Sequence, residues 1–289
     1  MHRRLRFSDS GRDVTAIGLG AMPLSLRGRP DESVAIEVIR TFLEGGGDFI
    51  DTANVYCRDD DDTGHNERLI NKALLALDAR QRVTVATKGG LVRPRGGWDV
   101  RATPDWLRTS CEKSLQDLST DCIFLYQLHA PDPNVPLADS VGELVRLKDE
   151  GKIRHIGLSN VNKDEILTAL SLTPVLSVQN KCSILYQKAF DNGVVELCAD
   201  KNIIFIAHSP VGGHFGHRQL SDCKPLKQLA QKYHVSEYQL ALAWLLRQGN
   251  HILPIPGASK PASISSSLRA LDIELDDKDL EFLNQATKQ

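Results

Sequence analysis

The sequence predicts an α/β fold: a single (β/α)8 TIM barrel carrying an N-terminal β-hairpin and extra C-terminal helices. Three observations predict it. Short apolar runs alternate with amphipathic helical stretches through about eight β-then-α units. No linker-like change of composition interrupts residues 1–289, so one domain is expected over that whole range. The length of 289 residues also suits a parallel barrel, which needs roughly 250 residues as one unit.

At the N-terminus, Leu5–Phe7 and Val14–Thr15 flank the turn-forming SDSGRD and read as a small hairpin placed to plug the barrel bottom. The barrel strands follow at Ala16–Leu19, Asp48–Ile50, Val83–Thr87, Ile123–Leu128, Ile153–Leu158, Leu176–Val178, Ile203–Ala207 and Ile252–Ile255. Most are short and unbroken in their apolar character, as parallel strands covered on both faces must be. Helical spacing falls between them at Glu32–Gly45, Glu67–Leu77, Pro104–Leu118, Leu137–Gly151 and Lys163–Leu170. Thr103 before Pro104 supplies an N-cap and first helical residue, while Gly45 and Gly151 stand where helices should stop. In the stretch 137–151, Val141, Leu144, Val145 and Leu147 make an apolar stripe, with Glu143, Arg146 and Asp149 outside it. Two more helices, Pro261–Leu271 and Asp276–Lys288, follow the last strand. An open doubly wound sheet would advertise a glycine-rich first turn. Here Gly18-Leu19-Gly20 lacks both the third glycine and the following helix.

Composition narrows the function. With 41% hydrophobic and 25% charged residues the chain is not of the disordered class, and a net charge of -2 gives no basic footprint for nucleic acid. No run approaches the ~20 apolar residues of a membrane span. The opening MHRRLRFSDSGRD lacks the apolar centre of a secretory signal. The six cysteines form no CxxC pair. A cytoplasmic, reduced protein acting on a small molecule, without nucleic-acid or membrane partners, is the expectation.

In a parallel barrel the chemistry sits at the carboxyl ends of the strands. Three adjacent predicted strands end in a different ionisable group: Asp51, Lys88 and His129. Neighbouring strands lie ~4.8 Å apart, so these groups would share one small volume. Tyr56 stands five residues beyond Asp51, far enough for its loop to fold the phenol over the mouth. An adjacent ammonium is expected to lower that phenol's pKa and make it a general acid, with Asp51 holding Lys88 charged. A second chemistry remains open, a Schiff-base aldolase using Lys88, although a neighbouring carboxylate opposes the neutral amine that it needs. The acidic run Asp59–Asp62 fails as a calcium loop because Ile70 falls where the bidentate carboxylate belongs. His208, His214, His217 and Cys223 could be imagined as a metal site, but their glycine-rich setting reads better as a flap over a cofactor, and no metal is expected.

The strings GDFIDTANVY (47–56), GHNERLI (64–70), TKGG (87–90), YQLH (126–129), IRHIGLSN (153–160) and ALAWLL (241–246) together resemble the aldo-keto reductases. The resemblance runs from about Gly18 to Leu283 in the family's order and spacing. It implies an NAD(P)H-dependent oxidoreductase reducing aldehydes, and ketones or pyridoxal, to alcohols. Tyr56 would give the proton, Lys88 and Asp51 would tune it, and His129 would orient the carbonyl. NADPH is the implied cofactor, with NADH second. Ser159, Asn160 and Gln179 would hold its carboxamide. Gly20, Ala21, Met22 and Asp51 would line its nicotinamide end, and His208, Ser209, Pro210, Val211 and Gly212 would cover it. Ala258, Ser259, Lys260, Ser263 and Ser267 would meet its phosphates. Met22, Tyr56, Trp98 and His129 would wall the substrate pocket. The resemblance also admits a non-catalytic reading, since the family's channel β subunits keep the tetrad and serve as regulatory partners.

Three departures from the family pattern stand out. His208 occupies a position where many members stack a tyrosine on the nicotinamide. Gly257 replaces a phosphate-binding lysine and Ser263 an arginine, which is closer to the pyridoxal-reductase and channel β-subunit branches and leaves Lys260 as the nearest cation before Arg269. The tail after the last helix is short, so a comparatively open mouth is expected.

Overall fold

The structure is a computed structural model that describes residues 3–7 and 10–287, without the side chains of residues 214 and 215. A hairpin comes first, β1 (Arg4–Phe7) pairing antiparallel with β2 (Arg12–Thr15). Next come β3 (Leu19–Gly20), α1 (Glu32–Glu44), β4 (Phe49–Asp51), α2 (His65–Ala76) and β5 (Thr84–Gly89). A two-stranded excursion, β6 (Leu91–Val92) and β7 (Asp99–Val100), precedes α3 (Pro104–Leu118). Then follow β8 (Ile123–Leu128), α4 (Leu137–Asp149), β9 (Ile153–Ser159), α5 (Lys163–Leu170) and β10 (Ser177–Lys181). After them run α6 (Lys188–Asp191), α7 (Val194–Asp200), β11 (Ile204–His208), α8 (Gly213–Asp222), α9 (Lys224–Lys232) and α10 (Glu237–Arg247). The last elements are β12 (Ile252–Ile255), α11 (Pro261–Leu268) and α12 (Asp277–Ala286).

Eight strands form one parallel sheet in the order β12-β11-β10-β9-β8-β5-β4-β3. Backbone contacts between the first and last strands close it. Gly18 N donates to Pro254 O at 3.0 Å, Gly20 N donates to Pro256 O at 3.1 Å, and Gly20 bridges Gly257. A Cβ on Gly20 would lie 2.7 Å from Ile255 O, so glycine is what lets the seam shut. The expected (β/α)8 barrel is therefore present.

Local signals explain several helix ends. Thr103 accepts from Trp106 N at the start of α3, and Gly151 turns left-handed (φ 75°) just after α4. Capping boxes start α5 (Asn162 with Glu165) and α10 (Ser236 with Gln239). The helices bury their apolar stripes on the sheet, as Val141, Leu144 and Leu147 of α4 do.

Several bounds differ from the sequence reading. β5, β10 and β11 run past their apolar stretches to take in Lys88, Gln179 and His208. β3 covers only Leu19–Gly20, where it pairs with Ile50 and Asp51 of β4. The region after Gly212 forms the helix α8 where a glycine-rich flap was expected. The first tail helix stops at Leu268 and continues as a 3-10 turn, and Asp276 caps α12, whose expected end at Lys288 lies outside the described residues.

The hairpin closes the amino-terminal end of the barrel, as expected. Phe7 stacks on Phe49, the first residue of β4, at 5.6 Å and meets Phe124 of β8 edge-on at 6.1 Å. Asp48 ties it down, accepting from Arg4 at 2.6 Å and from Thr15 N at 2.7 Å. No helix among the described residues is long and apolar enough to cross a membrane.

Candidate active site

At the opposite end, the strand register brings β4, β5 and β8 side by side, with Asp51 beside Ala86 and Lys88 beside Gln127. Lys88 is fully buried, and its ammonium has three partners: Asp51 Oδ1 at 2.5 Å, Thr52 O at 2.8 Å and Tyr56 Oη at 2.9 Å. The other carboxylate oxygen of Asp51 accepts from Gln179 Nε2 at 2.8 Å and Gln127 Nε2 at 3.1 Å. His129 follows β8, and its ring meets the Tyr56 ring edge-on at 5.7 Å. Its Nδ1 is buried without a partner. The four residues expected at the strand ends and loop are thus brought together.

The loop carrying Tyr56 is pinned from below. Thr52 N donates to Ala86 O, Tyr56 N turns back to Ala53 O, and Gly64 N donates to Asn54 O at 2.7 Å. Asn66 of α2 accepts from Thr52 Oγ1 and donates to Ala21 O, linking β3, β4 and α2. Ala53, Val55 and Tyr56 form a small apolar cluster with Met22 and Leu91 against it. Tyr56 is only 7% exposed, so the phenol lies almost free of bulk water.

Burial reverses one expectation. The Tyr56 pKa lies above its ordinary value: desolvation raises it, and Lys88 pulls it back without overcoming that. Burial alone would depress Lys88, but Asp51 and Tyr56 outweigh it and hold the ammonium charged. Burial, then Lys88, then His208 push His129 well below the usual histidine range, so its ring is neutral.

The side chains expected to meet a nucleotide lie on β9 to β12 and beyond. Ser159 pairs with Gln179 across β9 and β10, and Asn160 N donates to Gln179 O at 3.0 Å. Asn160, left-handed at φ 58°, donates its amide to His129 O at 2.9 Å. The amide nitrogen of Gln179 is already given to Asp51, which makes it part of that carboxylate's shell as well. His208 ends β11 with Nε2 3.4 Å from Asn160 Oδ1 and Nδ1 3.2 Å from Ser209 Oγ. Its ring keeps some solvent contact, yet burial, followed by Lys88 and Lys181, pushes its pKa down to about 4. Pro210 is buried, Val211 packs on the core, and Gly212 is left-handed ahead of α8. Ala258 is buried, Ser259 and Lys260 are exposed, and Lys260 immediately precedes α11 without a side-chain capping bond. Ser263 is exposed, and Ser267 donates to its carbonyl. Trp98, in the β6–β7 hairpin, is 49% exposed and stacks on Arg93 at 3.9 Å. No group of three metal-ligating side chains comes together among the described residues, and the side chain of His214 lies outside them.

Sequence reasoning missed Gln127, whose amide helps fix Asp51, although a glutamine inside an otherwise apolar strand was a visible signal. It also missed Glu67, buried behind β5 and accepting from Thr87 Oγ1 at 2.6 Å.

The model of the aldo/keto reductase family matches residues 16–288. The chain belongs to the aldo/keto reductase family. The family is one of oxidoreductases, so this aldo/keto reductase is an enzyme of that class. It is 32% identical over 312 residues to probable aldo-keto reductase 1 of Glycine max, covering 98% of this chain and 88% of that one. A thermostable aldo-keto reductase solved with the inhibitor epalrestat superposes with a TM-score of 0.83, 26% identity and 99% coverage of both chains. An aldo-keto reductase from Klebsiella pneumoniae, solved in complex with NADPH, gives 0.81 and 26% identity over 99% of this chain and 95% of that one.

Proposed function

We propose that this aldo/keto reductase converts aldehydes, and ketones or pyridoxal, to alcohols with NADPH, Tyr56 acting as general acid. One observation carries the reading: a buried ammonium, Lys88, bridges Asp51 at 2.5 Å and Tyr56 at 2.9 Å beside a neutral His129. A phenol with a raised pKa keeps its proton until a substrate oxygen becomes basic enough to take it. The Lys88 ammonium then stabilises the phenolate that is left, and Asp51 keeps that ammonium in place. His129, with its unpartnered Nδ1, aims the carbonyl oxygen at the phenol.

The donor set suits a nicotinamide. Ser159, Asn160 and Gln179 bring a hydroxyl and two amides to adjacent strand ends, matching a carboxamide that both donates and accepts. A bound reduced nicotinamide supplies the hydride. Gly20, Ala21 and Met22 would line one side of it, with Asp51 beneath. His208, Ser209, Pro210, Val211 and Gly212 would cover it. Lys260, with Ala258, Ser259, Ser263 and Ser267, would hold the phosphate end at the start of α11. Met22 and Trp98 complete the proposed substrate walls with Tyr56 and His129. NADPH is preferred to NADH, a choice supported by the NADPH found in the Klebsiella pneumoniae relative.

The Schiff-base alternative meets a physical objection. All three ammonium hydrogens of Lys88 are engaged and its pKa is raised, whereas imine formation needs a free amine. The chain is read as one catalytic unit, monomeric and cytoplasmic, and size-exclusion chromatography checks the monomer. The test of function is the decline of nicotinamide absorbance with aldehydes, ketones and pyridoxal, using NADPH and NADH in parallel. Turnover with NADPH and an aldehyde is expected. If no carbonyl compound consumes either nucleotide, the reading is wrong.

A further inference from the structure

The reductase reading leaves open what else the carbonyl substrate carries. Arg93 bears on that question. It follows β6, is 5% exposed, and its guanidinium is sandwiched between the loop after Tyr56 and the Trp98 ring. Its Nη2 donates to Arg58 O at 3.3 Å, while Nε and Nη1 are buried with no partner.

No carboxylate among the described residues pairs with it, although an acidic run lies close by. Those acids are committed elsewhere. Asp62 accepts from Arg29 at 2.6 Å and from Arg58 N at 3.0 Å, and Asp60 accepts from Arg95 N at 3.3 Å. A buried guanidinium without an anionic partner is unfavourable, and an oxyanion that reaches its free donors would relieve that.

The position is informative. Leu91, two residues before Arg93, packs against the Ala53–Val55–Tyr56 cluster. The Arg93 charge also reaches the thiol of Cys57, the residue after Tyr56. The guanidinium therefore stands beside the loop that follows Tyr56 and against Trp98, one of the proposed substrate walls. Trp98 covers it while remaining half-exposed, and left-handed Gly96 (φ 81°) with Gly97 lies directly before that ring in the chain. Trp98 stacks over the face of the guanidinium, so movement of this half-exposed ring would open Arg93 to solvent.

We infer that Arg93 selects carbonyl substrates bearing an oxyanion group, a carboxylate or a phosphate, which takes its two free donors when Trp98 swings aside. The inference rests on the reductase reading above.

The test compares charged and neutral partners of similar shape. The carboxylate arm is 4-carboxybenzaldehyde against 4-carbamoylbenzaldehyde, and the phosphate arm is glyceraldehyde 3-phosphate against glyceraldehyde. In wild type the charged member of at least one arm is expected to have a kcat/KM about 10-fold higher or more. Arg93→Gln should lower that ratio by about 10-fold, mainly through KM, and Arg93→Lys by less, since an ammonium keeps charge but loses the fork. The arm that responds identifies the anion. Ratios at or below one in both arms, with the neutral aldehydes still reduced, would overturn the inference and leave the reductase standing. A ratio that survives Arg93→Gln would overturn it equally. If Arg93→Gln does not fold, the wild-type ratios and Arg93→Lys decide. Failure of every compound to consume NADPH removes the proposed function and this inference together.

Discussion

At their carboxyl ends, β4 and β5 present Asp51 and Lys88, and His129 follows β8 directly. At the amino-terminal end, β4 begins with Phe49 and β8 carries Phe124, and both pack on Phe7 of the hairpin. One end buries a hydrogen-bonded charge pair, Lys88 with Asp51. The other buries stacked rings with Leu5 and Val14 of the hairpin, and Asp48 ties the hairpin down at its margin. Burying Lys88 and Asp51 is costly in itself, and their mutual attraction only offsets that. The aromatic end adds apolar area and dispersion without such a penalty. On the proposed function, the same strands separate chemistry from stability along their length, and three substitutions test how complete that separation is.

The largest effect is expected at the polar end. Tyr56→Phe should lower kcat for aldehyde reduction about 10²–10⁴-fold, the usual worth of a positioned general acid. Stability should fall by no more than about 1–3 kcal/mol, because only one acceptor of the Lys88 ammonium is lost. Stopped-flow or steady-state NADPH oxidation, paired with urea unfolding, measures both. Retention of wild-type kcat would remove Tyr56 from the chemistry.

The plug should give the reverse pattern. Phe7→Ala removes a fully buried ring that touches two others, and about 3–5 kcal/mol of stability should go with it. Turnover of the remaining folded protein, assayed well below its unfolding midpoint, should stay within about twofold of wild type. A large fall in kcat with little loss of stability would show that the two ends are coupled through the strands.

The sequence made the tetrad legible because its members are unusual where they stand: ionisable groups closing apolar strands. Barrel closure was legible only as a count of units. The contact that achieves it, Gly20 against Gly257, joins residues far apart in the chain, and a local pattern carries no trace of such pairing. Strand ends were misjudged for a related reason. Hydrophobic runs stop where function begins, so the polar tips of β5, β10 and β11 looked like loops although their backbones remain paired. The helix α8 hid behind its glycines. The direction of the Tyr56 shift depended on burial, which no spacing reports. Arg93 went unnoticed because an arginine among prolines and glycines usually means solvent.

The smallest effect concerns Glu67, set behind the polar end. It is fully buried, accepts from Thr87 Oγ1 at 2.6 Å, and leaves its Oε2 without a partner. Burial raises its pKa from 4.5 to about 7, with Thr87 and Ser114 opposing the rise. The unfolded chain would ionise Glu67 near 4.5, whereas the folded protein keeps the proton until about 7. Between those limits the folded state binds more protons, so stability falls as pH rises through that window and levels off above it. The full fall is on the order of 3 kcal/mol by linkage and is expected to be smaller if water reaches the site. Glu67→Gln cannot ionise and should flatten this part of the profile, making the variant lose less stability than wild type between pH 5 and pH 8. Urea unfolding of both proteins at those two pH values measures the difference, and an equal loss in each would mean that Glu67 does not carry the titration. Glu67 bonds Thr87, the neighbour of Lys88 in the chain, and none of the Lys88 hydrogen bonds reaches it, so the titration belongs to the stability side of the comparison.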